Sequence, residues 1–230
     1  MKYLVTSIAI LVLSATAYAD NFTLGEQTFN IPQPKEFHRL TKDMDPAYRL
    51  IQQIIDQRND RLGYYISKND LSKAKAGDIP LFKKYFVLKV SKRLKNARLD
   101  TKFFTQLKND ARQANENDLK SLQEKIPDLF DKTSESIRKE FDLDTAIKIT
   151  KLIPLKPHRE TKNSFSYSMY INYGGKIGGS ETESFISATA TMLHIKDKVL
   201  FLFCYGEQKD LAWTRTASRK WEESILSSNR

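Results

Sequence analysis

This 230-residue sequence is poor in the residues that staple or punctuate a chain, with one cysteine, eight glycines and seven prolines. A lone Cys204 cannot close an internal disulfide, so the fold has to rest on a buried core. Collagen-like and low-complexity chains are excluded by the same counts. Histidine is scarce too: His38, His158 and His194 stand far apart, with no HExxH pattern and no cysteine partners, so no metal-ligand spacing exists. There is no GxSxG elbow and no local Cys–His pairing, which leaves nucleophilic catalysis without a visible candidate. No cofactor motif and no internal repeat is present. Beyond the N-terminus no apolar run reaches the roughly 20 residues that a membrane helix needs.

What is present suits a globular protein: 40% hydrophobic residues, 11% aromatic, 29% charged, and 38 Lys+Arg against 28 Asp+Glu. The first segment reads as an export signal. Lys2 precedes an apolar run from Leu4 to Leu13, and Ala17-Tyr18-Ala19 places small residues at the −3 and −1 positions before Asp20. Polar Ser14 and Thr16 make the run too short for an anchor, and the absence of a nearby cysteine removes the lipoprotein form. The reading is a cleaved signal peptide over residues 1–19, of the bacterial lysine-led type, then one α/β domain over 20–230 that is periplasmic or extracellular and carries no transmembrane segment.

Within the domain, Phe22-Thr23-Leu24 and Thr28-Phe29-Asn30-Ile31 flank Gly25-Glu26 as a short hairpin, which Pro32 and Pro34 end. Asp45-Pro46 reads as an N-cap and first helical position, and Ala47, Leu50, Ile51, Ile54 and Ile55 predict a helix to about Asn59. Leu62–Ile66 and Tyr85–Val90 have the aromatic and β-branched density of strands. From Thr101 the period becomes helical, through Phe104, Leu107, Ala111 and Ala114, then Leu119, Leu122 and Ile126 up to Pro127. Asp128 can cap a second piece carrying Phe130, Ser134, Ile137 and Phe141. Ser164–Tyr173 alternates strictly, which predicts a half-buried strand. Phe185–Ile195 and Val199–Tyr205, joined at Lys196-Asp197-Lys198, continue it as an antiparallel meander. Leu211, Ala217, Trp221 and Ile225 place a C-terminal helix on that sheet. The class is therefore α+β: an α/β/α sandwich, mainly an antiparallel sheet flanked by helices, with a long helical stretch at about 101–141.

Two features offer binding groups. Gly174, Gly175, Lys176, Gly178 and Gly179 look at first like a phosphate cradle, but strands flank them and no helix follows, so a hairpin loop able to touch a partner is the better reading. Residues 83–112 hold ten basic side chains against Asp100 and Asp110, and Lys92, Arg93, Lys95 and Arg98 form their densest run. Such a run attracts anions, or else serves as a solvated face. No RNP-like or helix-turn-helix pattern accompanies it, and export removes cytosolic nucleic acid as a partner. Cys204, inside Phe201-Leu-Phe-Cys-Tyr205, reads as an inert buried thiol. His194, in phase with Ile186, Ala188, Ala190 and Met192, reads as a core or edge histidine.

The segments Val199-Leu-Phe-Leu-Phe-Cys-Tyr205, Asp210-Leu-Ala-Trp-Thr-Arg215 and Trp221-Glu-Glu-Ser-Ile225 resemble the PsbP-like superfamily. So does the order of Phe29-Asn-Ile-Pro-Gln-Pro34, the Asp45 helix and the Leu62–Ile66 strand. The resemblance implies an antiparallel sheet covered by helices on both faces and a binding or scaffold role, since the family includes the photosystem II extrinsic protein and a Ran-binding factor. The expectation is an exported, non-enzymatic protein that binds a macromolecular partner, an unknown protein or an anionic envelope component. The alternatives are an envelope-directed hydrolase with a site assembled from distant residues, and a binder of anionic lipid or polysaccharide surfaces. Intact mass of the exported protein should give a chain starting at Asp20; an uncleaved Met1 chain held in the membrane fraction would contradict the signal reading.

Overall fold

The computed structural model describes residues 19–54, 56–117, 131–142, 145–177 and 180–230. Ile55, Gly178, Gly179, the signal segment up to Tyr18, and the helical positions Leu119, Leu122, Ile126, Pro127, Asp128 and Phe130 lie outside them. The first two strands, β1 (Ala19–Leu24) and β2 (Gln27–Pro32), form the expected hairpin, which turns at Gly25 with φ +61. The main sheet has eight strands. In spatial order they are β3 (Phe37–Arg39), β4 (Asn59–Ser67), β5 (Tyr85–Ser91), β10 (Lys198–Glu207), β9 (Ser180–Ile195), β8 (Ser164–Ile177) and β6 (Thr145–Pro154), and β7 (Arg159–Glu160) pairs beside β6 on β8. Every pairing is antiparallel. The β9–β10 turn places Lys196 and Asp197 at φ 47 and 56, the left-handed pair of a tight hairpin whose twist matches the strands.

Five helices are described: α1 (Ala47–Gln52), α2 (Lys68–Lys75), α3 (Thr101–Asn117), α4 (131–141) and α5 (Leu211–Ser228). None of the described helices is long and apolar enough to cross a membrane. The mixed α+β sandwich of the sequence analysis is thus the architecture found, and α3 and α4 supply the two helical ends of the 101–141 stretch. Helix α1 is shorter than its apolar spacing suggested, and Pro46 itself stands at its N-cap. It stops because the chain must reverse into β4. The guanidinium of Arg61 on that strand donates to Ile51 O (2.6 Å) and Ile54 O (2.8 Å), supplying donors for carbonyls at the helix end.

The two faces of the sheet differ in chemistry. Side chains at alternate positions of β5 and β10, namely Phe86, Leu88, Val90, Leu200, Leu202 and Cys204, point with Tyr65 and Leu193 into a dry core. Trp221 and Ile225 of α5 and Leu24, Phe29 and Ile31 of the hairpin close it. The hairpin is stitched to α5 by polar atoms too: Trp221 Nε1 donates to Pro32 O, and the Asn229 amide bonds both N and O of Asn30. Cys204 is fully buried, and burial pushes its thiol well above the ordinary value, which fits an inert core position.

Strand β8 is not half-buried as its serine alternation suggested. Its serine face lies under α5, where hydroxyls form rungs across three elements. Ser168 bonds Thr189 (2.9 Å), which bonds Thr214 (2.9 Å); Ser166 bonds Thr191 (2.8 Å), which bonds Ser218 (3.0 Å); and Ser164 donates to Glu222 (2.6 Å). Thr214, Ser218 and Glu222 recur every four residues on one stripe of α5. Small hydroxyls let the helix come close to the sheet, and mutual bonding removes the penalty of burying them. Replacing only Thr191 by Val should cost about 1–3 kcal/mol in urea unfolding, because two hydroxyls lose a partner. The triple change Ser166→Ala, Thr191→Val and Ser218→Ala should recover part of that loss. A single change without effect would contradict the rung account.

Candidate functional site

On the opposite face, β4, β5 and β10 present tyrosines in a row. Tyr85 and Tyr205 are direct cross-strand partners, and Tyr64 lies opposite Val87, a diagonal neighbour of Tyr85. The rings stack at 5.1 Å (Tyr64–Tyr85) and 4.6 Å (Tyr85–Tyr205), nearly parallel, and Phe203 extends the row beside Tyr205 at 6.1 Å. Phe82 supports the other end, edge-on to Tyr64. Because ring faces are engaged with one another, the row offers edges and hydroxyls to the space above it. The hydroxyls of Tyr64, Tyr85 and Tyr205 have no hydrogen-bond partner among the described residues. Asn172 Oδ1 is the only sealed, unpartnered side-chain polar atom there, so the three hydroxyls, though largely buried, are not sealed off from the cleft that these tyrosines line.

Above the row is a cleft of about 450 Å³. One wall carries Ile54, Asp56, Arg61 and Lys89; the other carries Thr133 of α4, Ile147 of β6, and Tyr173, Gly174 and Gly175 of β8. Helix α4 crosses from the first wall to the second. Glu140 pairs with Arg49 (3.0 Å) and Ser136 donates to Gln53 (2.6 Å) on the α1 side, while Ser134 accepts from Ile147 N (2.8 Å) on β6. The helix stripe read from Ser134 and Ile137 is the buried one.

The charged end of the cleft is built around a turn. Asp56 accepts from Arg58 N, from Asn59 N and Nδ2, and from Lys89 Nζ at 2.7 Å. Burial works to raise its pKa, but the Lys89 ammonium and these donors overcome it and hold the carboxyl below its ordinary value. Arg61 has no carboxylate partner among the described residues; burial lowers its pKa, and its fork is held by the two α1 carbonyls.

The glycines expected in a loop are partly in strand. Gly174 and Gly175 continue β8, opposite Lys148 and Ile147 on β6, and Lys176 faces Glu181 across β8–β9. A Cβ on Gly175 would stand 1.7 Å from Ala146 O, so bare backbone is what lets β6 approach at the cleft wall. Gly178 and Gly179 lie outside the described residues. The structure therefore brings Gly174 and Gly175 to the cleft, through packing rather than through a loop.

Three of the four residues of the basic run are held by groups from elsewhere in the chain. Lys92 donates to Asp56 O and lies 4.0 Å from Asp60, Lys95 pairs with Asp60 at 2.7 Å, and Arg98 pairs with Asp197 at 2.7 Å. Elsewhere in the 83–112 window, Lys83, Lys84, Lys89, Lys108 and Arg112 also have carboxylate partners. Arg93 and Lys102 have none among the described residues. A charge excess read along the chain is thus largely balanced in space, so the field of the window is weaker than its sequence suggests.

Other titratable groups belong to the framework. Ser168 lies 3.5 Å from His158 Nδ1, but Ser168 is fully buried, accepts from Arg215 Nε and shares its hydroxyl with Thr189. Burial, with Arg215 and Arg159 nearby, pushes the His158 imidazole down to about 4. His194 stacks on Phe104 and bonds Leu99 O through Nε2 at 2.6 Å, the core position expected of it. Among the described residues no cluster of three or more His, Cys, Asp or Glu is placed to hold a metal.

Sequence reasoning treated the cleft tyrosines as ordinary strand residues. The available signal was tyrosine at same-face positions of three strands where phenylalanine would serve packing alike. Burial raises Tyr64, Tyr85 and Tyr205 above the ordinary tyrosine value and Tyr173 to about 12. In the unfolded chain they ionise near pH 10. The stability they contribute is complete below that pH and declines as pH rises from 10 towards 12 and beyond. Absorbance titration should show these tyrosines ionising together with unfolding; full ionisation near pH 10 with the fold intact would contradict their burial. No protein-family model matches this sequence, and a search of curated proteins returns no match.

Proposed function

We propose that this chain acts outside the cytoplasm as a binding protein without catalysis, and that the tyrosine-floored cleft receives its ligand or the projecting part of a macromolecular partner. The observation that carries the reading is the row of three tyrosines, their hydroxyls without a partner among the described residues, lining a cleft of about 450 Å³, within the size range of small-molecule sites. The described walls hold no histidine or cysteine, and their one carboxylate, Asp56, is saturated by donors. That supports recognition over acid–base or nucleophilic work. The export signal and the PsbP-like resemblance point the same way.

Native mass spectrometry of the exported protein, purified without denaturation, tests this reading. The expected result is bound mass that denaturation releases and that Ser184→Trp or Ile54→Trp removes, because both exposed side chains line the cleft. Bound mass indifferent to both changes, or turnover of ester, peptide or glycan substrates that depends on a single side chain, would overturn it.

A further inference from the structure

The charged groups lining the cleft are mostly positive: Arg61 and Lys89 against Asp56. Three tyrosine hydroxyls stand in a row at the ring spacings of 5.1 and 4.6 Å, unpartnered among the described residues and able to donate. The ring edges that flank them are the positive part of the aromatic quadrupole. Arg61 brings a part-buried cation with no carboxylate partner, and Lys89 keeps two ammonium protons beyond the one on Asp56. Two cations thus face one carboxylate, whose oxygens already accept from four donor groups. The rest of the described lining sets apolar or bare positions, Ile54, Val87, Ile147, Gly174 and Gly175, beside the hydroxyl-bearing Thr133, Tyr173, Thr182 and Ser184.

We infer that the cleft takes an amphipathic anion, a single apolar chain or ring bearing a carboxylate-type head; the inference rests on the cleft being the binding site. The head accepts from the hydroxyl row beside Arg61 and Lys89, and the body covers Val87 and Ile147. A cationic amphiphile meets two like charges there and no free acceptor carboxylate. A neutral polyol leaves the apolar wall uncovered and Arg61 unbalanced. The hydroxyls stay protonated throughout the physiological range, since burial raises all three, so they remain donors to the head.

The test is calorimetric titration of the exported protein with hexanoate, octanoate and decanoate, and with decanol and decylammonium. Decanoate is expected to bind one to one, at least tenfold tighter than decylammonium, with each added methylene tightening Kd about fourfold until the cleft is full. Tyr85→Phe and Tyr205→Phe keep the ring row and are expected to weaken decanoate about tenfold and decanol less, because bonds to a charged acceptor are the stronger ones. Arg61 is left intact, since it also holds the end of α1; the charge is varied on the ligand. Decylammonium binding as tightly as decanoate, with both lost in Ser184→Trp, overturns the anionic class and leaves the cleft reading standing. Binding of no probe, or binding insensitive to Ser184→Trp, overturns both. Flotation with phosphatidylcholine vesicles carrying oleate separates the sources: protein that floats only with the oleate-bearing vesicles and is released by decanoate takes its anion from a membrane, and protein that does not float takes a free acid.

Discussion

Strand β10 runs between β5 and β9, and the alternation of its side chains between two unlike faces is the constraint on which the rest of the molecule depends. Leu200, Leu202 and Cys204 enter the dry core beneath α5, while Phe201, Phe203 and Tyr205 face the other way. A slip of one residue against β5 or β9 would exchange the two sets. Tyr205 would then press its hydroxyl against Trp221, and Cys204 would stand where the tyrosine row now runs. The register Tyr205↔Tyr85 and Leu202↔Leu88 therefore fixes the core and the cleft together.

The closed face is held by both apolar and polar contacts. Aromatic edge contacts among Phe37, Tyr65, Phe86, Trp213 and Trp221 fill the space between sheet and helix. On the adjacent stripe of α5, Thr214, Ser218 and Glu222 over β8 and β9, the filling changes to hydroxyl rungs. A hydroxyl rung fixes the position of the helix along the sheet more narrowly than apolar contact does, because each bond has a short range of distance and angle. The open face has no such seal. Helices α1, α3 and α4 each cover part of it, and the cleft remains where α4 bridges α1 and β6 above the tyrosines.

Much of this was legible in the sequence wherever one period governed one element. The β1–β2 hairpin, the β8–β9–β10 meander, α3 and α5 follow from apolar spacing and from glycine and proline positions. Period alone does not say what lies above a face, so the serines of β8 read as solvent-facing although α5 covers them. Helix α2, whose N-cap is Ser67 bonding Asp70 N, has too few apolar residues for a stripe to show. Strand β6 hid its character in Lys148, Thr150 and Lys151, as an edge strand does. The site was less legible than the fold. Gly174 and Gly175 were visible as unusual, but their reason is the approach of Ala146 from a distant strand. The basic run was visible, but its balancing Asp56, Asp60 and Asp197 come from elsewhere in the chain. The tyrosine row exists only once three strands are in register.

The most direct measurement is 19F NMR of the protein labelled with 3-fluorotyrosine, with resonances assigned by single Tyr→Phe changes, during titration with decanoate. The account predicts that Tyr64, Tyr85 and Tyr205 shift together and saturate at one equivalent. Tyr65, on the closed face with its hydroxyl on Asp20, should stay unmoved. Shifts at Tyr65 without shifts in the row, or no saturable shift in the row at all, would contradict the claim that the open face of the sheet is the functional one.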